Sequence, residues 1–125
     1  MQNLILVMLG GAIGSAGRFG VGRMTLHQFG PNYPWGTLIV NLLGGLAMGL
    51  LAGVLARFGA GAHGWRHLVG IGLLGGFTTF SAFSLDAANM IERGDMGGAA
   101  TYALISVIGS IVALFVGLWI ARAVA

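Results

Sequence analysis

Cysteine is absent from this 125-residue chain, lysine is absent too, and only three residues are acidic and two are proline. Without cysteine, no disulfide, thiolate nucleophile or thiolate metal ligand can be invoked, and redox compartment cannot be read from cysteine usage. The six basic residues are all arginine and stand singly, so the net charge of +3 reflects a shortage of acids rather than a basic patch, which argues against nucleic-acid binding. Charged residues make up 7% of the chain against 57% hydrophobic, far below the roughly one quarter charged that soluble domains show. The composition predicts an all-α integral membrane protein, with no separate soluble domain left over to hold an enzyme.

Four apolar stretches, at about 4–23, 35–56, 67–91 and 98–120, each approach the roughly 20 residues needed to cross a bilayer. They predict a single four-span membrane domain over residues 1–125. Met1-Gln2-Asn3 carries no basic lead-in, so the first stretch is expected to be retained as a span. With four spans, Arg57, Arg66 and Arg122 share one side, while Arg18, Arg23 and Arg93 fall toward the other. Orientation follows the arginine and lysine bias across short loops, and here that bias vanishes. Insertion in both orientations, and thus an antiparallel homodimer, becomes possible. Tyr33, Trp35, Trp65 and Trp119 suit interfacial anchors. Small residues recur four apart at Gly10 and Gly14, Gly45, Gly49 and Gly53, Gly72 and Gly76, and Ala113 and Gly117, a spacing that lets helix backbones approach closely. A chain with 24 glycines on four short helices offers little interior volume, so a path for solute calls for a second copy.

The third span is the exception to plain hydrophobicity. Gly75-Gly76-Phe77-Thr78-Thr79-Phe80-Ser81-Ala82-Phe83-Ser84 places a glycine pair before alternating hydroxyls and phenylalanines. In hydrocarbon, an interrupted helix is tolerated only where it is buried or lines a cavity. A break over Gly75 to Thr78 would free carbonyl oxygens, the ligands hard cations accept. Phe80 and Phe83, three apart, share a helix side, and their ring edges carry the positive part of the quadrupole, which suits an anion held weakly enough to leave. Thr37 and Asn41 form a polar stripe about 6 Å long on span two, and Tyr102, Ser106 and Ser110 one about 12 Å long on span four, at 1.5 Å per residue. For a single serine the ordinary reading is a helix-to-helix hydrogen bond; two stripes beside a broken helix read better as the lining of a path. Asp86 either marks an ion path or serves packing and a vestibule near the membrane surface. Arg18 either snorkels outward or draws anions into a vestibule. His63 and His67 have no nearby carboxylate to complete a metal site and read as a solvated pair. The pattern Gly70-Ile71-Gly72-Leu73-Leu74-Gly75 matches a dinucleotide fingerprint only formally, since no strand precedes it.

On these residues the chain resembles the Fluc fluoride channel family, also called CrcB, over nearly its whole length: the Gly14 to Arg18 region, Trp35-Gly36-Thr37-Leu38 leading to Asn41, the Gly75 to Ser84 segment, and Tyr102, Ser106 and Ser110. The resemblance implies a dual-topology antiparallel homodimer in a bacterial plasma (inner) membrane, with two pores that export fluoride passively from the cytoplasm, and a central structural sodium ion. It implies that Phe80 and Phe83 are the pore phenylalanines and Asn41 the pore amide, and that Thr37, Tyr102, Ser106 and Ser110 belong to a polar track. The carbonyls of Gly75 and Thr78 would hold sodium, and Arg18 would match the arginine at the end of span one. One departure is Ala82, where members often carry threonine, so no hydroxyl role carries over to that position. The competing class is a small dual-topology multidrug/proton antiporter, also of four spans. Its mechanism would want a carboxylate buried in span one, and residues 1–24 contain none. A membrane scaffold would account for the glycines but not for two hydroxyl stripes and a broken helix.

Overall fold

The computed structural model describes residues 1–124, which hold helices and no strand. In chain order these are α1 (Gln2–Phe29), α2 (Trp35–Leu55), a 3-10 turn (Gly59–Ala62), α3 (His63–Trp65), a π-helical stretch (Arg66–Leu74), α4 (Gly75–Phe77), α5 (Phe80–Glu92) and α6 (Met96–Ala123). Four segments are long and apolar enough to cross a membrane: Gln2–Phe29, Trp35–Leu55, Gly59–Glu92 and Met96–Ala123. Helical hydrogen bonding carries the first and last of these past the apolar stretches at both ends. α1 stops where Gly30 adopts a φ of 78° and its N–H reaches the Leu26 carbonyl, a positive-φ conformation that glycine takes without penalty. α6 starts at Asp95, whose Oδ1 accepts from the Gly98 N–H at 2.9 Å, an N-cap.

The glycine rows define which spans touch. α1 lies along the π-helical stretch and α4, and α2 makes its most extensive contact with α6. A Cβ on Gly10 or Gly14 would run into the carbonyls of Leu68 or Leu73, and one on Gly72 or Gly76 would lie 2.9 Å from Val7 O or 2.6 Å from Gly11 O. The same reciprocity joins Gly45, at 2.6 Å from the Ser110 carbonyl, and Gly49 to α6, and Gly117 back to α2. Without side chains between them the backbones pack at contact, where dispersion substitutes for the hydrophobic effect that lipid does not provide.

The break in the third span lies at Thr78 and Thr79 rather than at the glycine pair. Thr78 (φ −84°, ψ 157°) and Thr79 (φ −154°, ψ 122°) are extended, whereas Gly75 is helical (φ −63°, ψ −38°). Gly76 is needed for its lack of a side chain against α1, not for backbone freedom. The apolar core gathers on one side of the break, where Leu38, Phe83, Met90, Ala99 and Tyr102 meet between α2, α5 and α6. In the single chain only 11% of the apolar window in α1, and 11% in α6, is buried. The remaining apolar surface must face lipid or another chain.

Candidate functional site

The site begins with the backbone at the break. In an unbroken helix the N–H groups of residues 79, 80 and 82 would reach the carbonyls of residues 75, 76 and 78. Here the Thr79 N–H donates to Asn41 Oδ1 at 2.8 Å, and Asn41 Nδ2 donates back to the Thr79 carbonyl at 3.1 Å. The Ala82 N–H donates to Thr79 Oγ1 at 3.2 Å, so Thr79 is the N-cap of α5. The Gly76 carbonyl accepts from Arg18 Nε at 3.1 Å. Two amides are thus diverted onto side chains, releasing the carbonyls of Gly75 and Thr78, the two positions the resemblance assigns to sodium. Oxygen dipoles of this kind fit a hard cation. Gly75 is exposed on the outside of the single chain.

Next to the break lies a cavity of about 420 Å³ lined by, among others, Asn41, Thr79, Phe80, Phe83, Ser106 and Ser110. The hydroxyls of Ser106 and Ser110 are buried and have no hydrogen-bond partner among the described residues. An unpaired buried hydroxyl is costly, and both serines belong to the wall of this cavity. The rings of Phe80 and Phe83 stand 5.4 Å apart, tilted by 42°. Phe83 is buried, whereas Phe80 is 74% exposed at the outer edge.

Tyr102 and Thr37 do not join that wall. Tyr102 is fully buried, and its Oη donates to Asp86 Oδ2 at 3.1 Å. Thr37 lines a second cavity of about 310 Å³ with Asp86, Asn89, Arg93 and Tyr33. The hydroxyl stripe on α6 is therefore divided, with its serines on one cavity and its tyrosine joined to the carboxylate of the other. Rings connect the two: Phe83 lies 5.2 Å from Tyr102, and Tyr102 meets Tyr33 edge-on at 5.7 Å. Tyr33, in the loop between α1 and α2, has its phenol pushed above the ordinary value by burial.

Two features escape a reading of residue types alone. Thr79 is the centre of the break through both its backbone and its hydroxyl; a threonine three residues before the diverted Ala82 N–H is the N-cap spacing that could have shown it. Arg18 lies in the interior of α1 and is committed to the Gly76 carbonyl; only the pairing of α1 with α4 reveals that partner.

These features define a multi-pass membrane protein of the transport type, in which a helix broken inside the bilayer adjoins a cavity with free hydroxyl donors. Residues 5–118 match the family described as CrcB-like protein, Camphor Resistance (CrcB). Over 123 residues the chain is 57% identical to the "Fluoride-specific ion channel FluC" of Caulobacter sp. (strain K31), covering 98% of this chain and 96% of that protein. It is 54% identical over 122 residues to the protein of the same name from Mesorhizobium japonicum, covering 98% of each. With that of Phenylobacterium zucineum it shares 54% over 125 residues, covering 99% of this chain and 98% of the relative. The chain belongs to the CrcB family.

Proposed function

We propose that this chain is a fluoride-selective channel, not an enzyme, that passively exports fluoride across a bacterial plasma (inner) membrane. The observation that carries the reading is the pair of partnerless hydroxyls, Ser106 and Ser110, buried in a cavity walled by Phe80 and Phe83. Fluoride is small and strongly hydrated, so an entry path must offer several close donors in place of water. The serine hydroxyls and the remaining Asn41 N–H are neutral donors, and phenylalanine ring edges attract an anion weakly. No arginine lines this cavity, which matters because a fixed cation would hold the anion too tightly for rapid exit. Arg18 is occupied at the Gly76 carbonyl. A negative-inside potential contributes about 2.3 kcal/mol per charge for each 100 mV, enough to drive export without a pump.

The working unit in this reading is an antiparallel, dual-topology homodimer with two pores. Its support is the exposure of Phe80 and Gly75 on the same broken span, together with the even division of arginines between the two sides. A second, inverted copy would cover Phe80 and complete the cavity wall. The Gly75 and Thr78 carbonyls would hold a structural sodium ion.

The test is fluoride efflux from liposomes carrying purified protein, read with a fluoride electrode against chloride efflux under the same gradient. Rapid fluoride loss with little chloride loss is expected. Absence of fluoride flux, or equal chloride flux, would defeat the channel reading.

A further inference from the structure

The family resemblance gives Asn41 the task of offering its amide to the anion, but most of that amide is engaged elsewhere. Oδ1 accepts from the Thr79 N–H and one Nδ2 hydrogen goes to the Thr79 carbonyl, leaving a single N–H for the cavity. We infer that Asn41 is a positioning residue for the cation site: by taking the Thr79 N–H onto Oδ1, it keeps the Gly75 carbonyl free to bind sodium. The inference rests on the sodium reading above. Thr79 is buried at 9% exposure, so an N–H deprived of Oδ1 needs another acceptor, and the backbone offers one in helical register. The helical acceptor is four residues back, at Gly75. Loss of the asparagine acceptor therefore lets α4 continue by one bond and consumes the oxygen that sodium requires. Thr79 does the same for the other oxygen, since its Oγ1 holds the Ala82 N–H that would otherwise return to Thr78. The remaining Asn41 N–H belongs to the wall shared with Ser106 and Ser110. One side chain thus serves the cation site through its oxygen and the anion path through its nitrogen.

The two ends of the amide can be separated by substitution. Purified full-length protein is titrated with sodium against N-methylglucamine at constant ionic strength, reading the thermal unfolding midpoint, and fluoride efflux is measured at saturating sodium. In Asn41→Ala the half-saturating sodium concentration rises by about tenfold or more, the scale of one buried hydrogen-bond partner lost. In Asn41→Asp, a carboxyl oxygen still accepts from the Thr79 N–H in either protonation state. Half-saturation there stays within about threefold of wild type, while fluoride efflux collapses because the amide donor is gone. Thr79→Ala weakens sodium binding like Asn41→Ala and serves in its place should that variant fail to assemble. The inference is overturned if Asn41→Ala, or in its place Thr79→Ala, keeps the wild-type sodium midpoint, or if Asn41→Asp loses sodium binding as fully as the alanine variant. A wild-type protein that ignores sodium altogether defeats the sodium reading itself, an outcome distinct from either of these.

Discussion

Replacing Ser106 by alanine should move stability and transport in opposite directions. Ser106 is 5% exposed, and its Oγ is buried without a partner among the described residues. An unpaired hydroxyl costs about 1–3 kcal/mol by mutational measures, and the change removes a single oxygen from the wall of an existing cavity. Ser106→Ala is thus expected to stabilise the folded protein by about 1 kcal/mol, or roughly 3–5 °C in melting temperature for a chain of this size. Transport should suffer. A hydroxyl donating to an anion contributes about 1.5–3 kcal/mol, and if that interaction replaces a water of hydration at the narrowest stretch, its loss slows efflux by roughly ten- to hundredfold at 1.4 kcal/mol per decade. The assays are thermal unfolding in detergent and fluoride efflux from liposomes, performed on the same preparation. A variant that melts lower and conducts normally would show that the hydroxyl has a structural partner and that the path runs elsewhere. Few structural roles predict a gain in stability with a loss of flux.

Other consequences are equally direct. Phe83→Ala, at a buried position, should destabilise by about 3–5 kcal/mol, whereas Phe80→Ala should do so only if a second copy covers the ring; unchanged melting and unchanged dimer elution for Phe80→Ala would count against the antiparallel arrangement. Gly49→Ala places a methyl on the Leu114 carbonyl and should cost about 1–3 kcal/mol by overpacking, while Gly20→Ala, with nothing within 4 Å of the new methyl, should be neutral or stabilising by up to about 1 kcal/mol; equal melting temperatures for the two would refute the glycine contacts. Arg18→Leu leaves the Gly76 carbonyl without its donor and should cost about 1–3 kcal/mol, with Arg18→Lys in between, measured as the shift in urea or thermal midpoint.

Much of this architecture is legible along the chain because a bilayer is a severe solvent. Apolar length alone marks four crossings, and hydroxyls or an asparagine inside such crossings are rare enough to be noticed singly. The site residues are less evenly legible. Asn41, Phe80, Phe83, Ser106 and Ser110 meet at one cavity, whereas Thr37 lines another and Tyr102 is tied to Asp86. Helical spacing puts Tyr102 and Ser106 on one face, but that face meets a cavity at Ser106 and the Asp86 carboxylate at Tyr102, and spacing carries no information on what stands opposite. The location of the break shows the same limit. Glycine is as useful for close packing as for bending, and here Gly76 serves the first purpose while two threonines carry the extended backbone.

By itself, then, the sequence determined that this is a four-span, all-helical membrane protein with polar groups committed to its interior, since transfer free energy and helical period act locally and leave their marks in composition and spacing. The partners of those groups were decided by tertiary structure alone: Arg18 with Gly76, Asn41 with both polar groups of the Thr79 backbone, Tyr102 with Asp86. Each pair joins different spans, and a hydrogen bond between them depends on which glycine faces let which backbones meet, a choice made only when the helices pack.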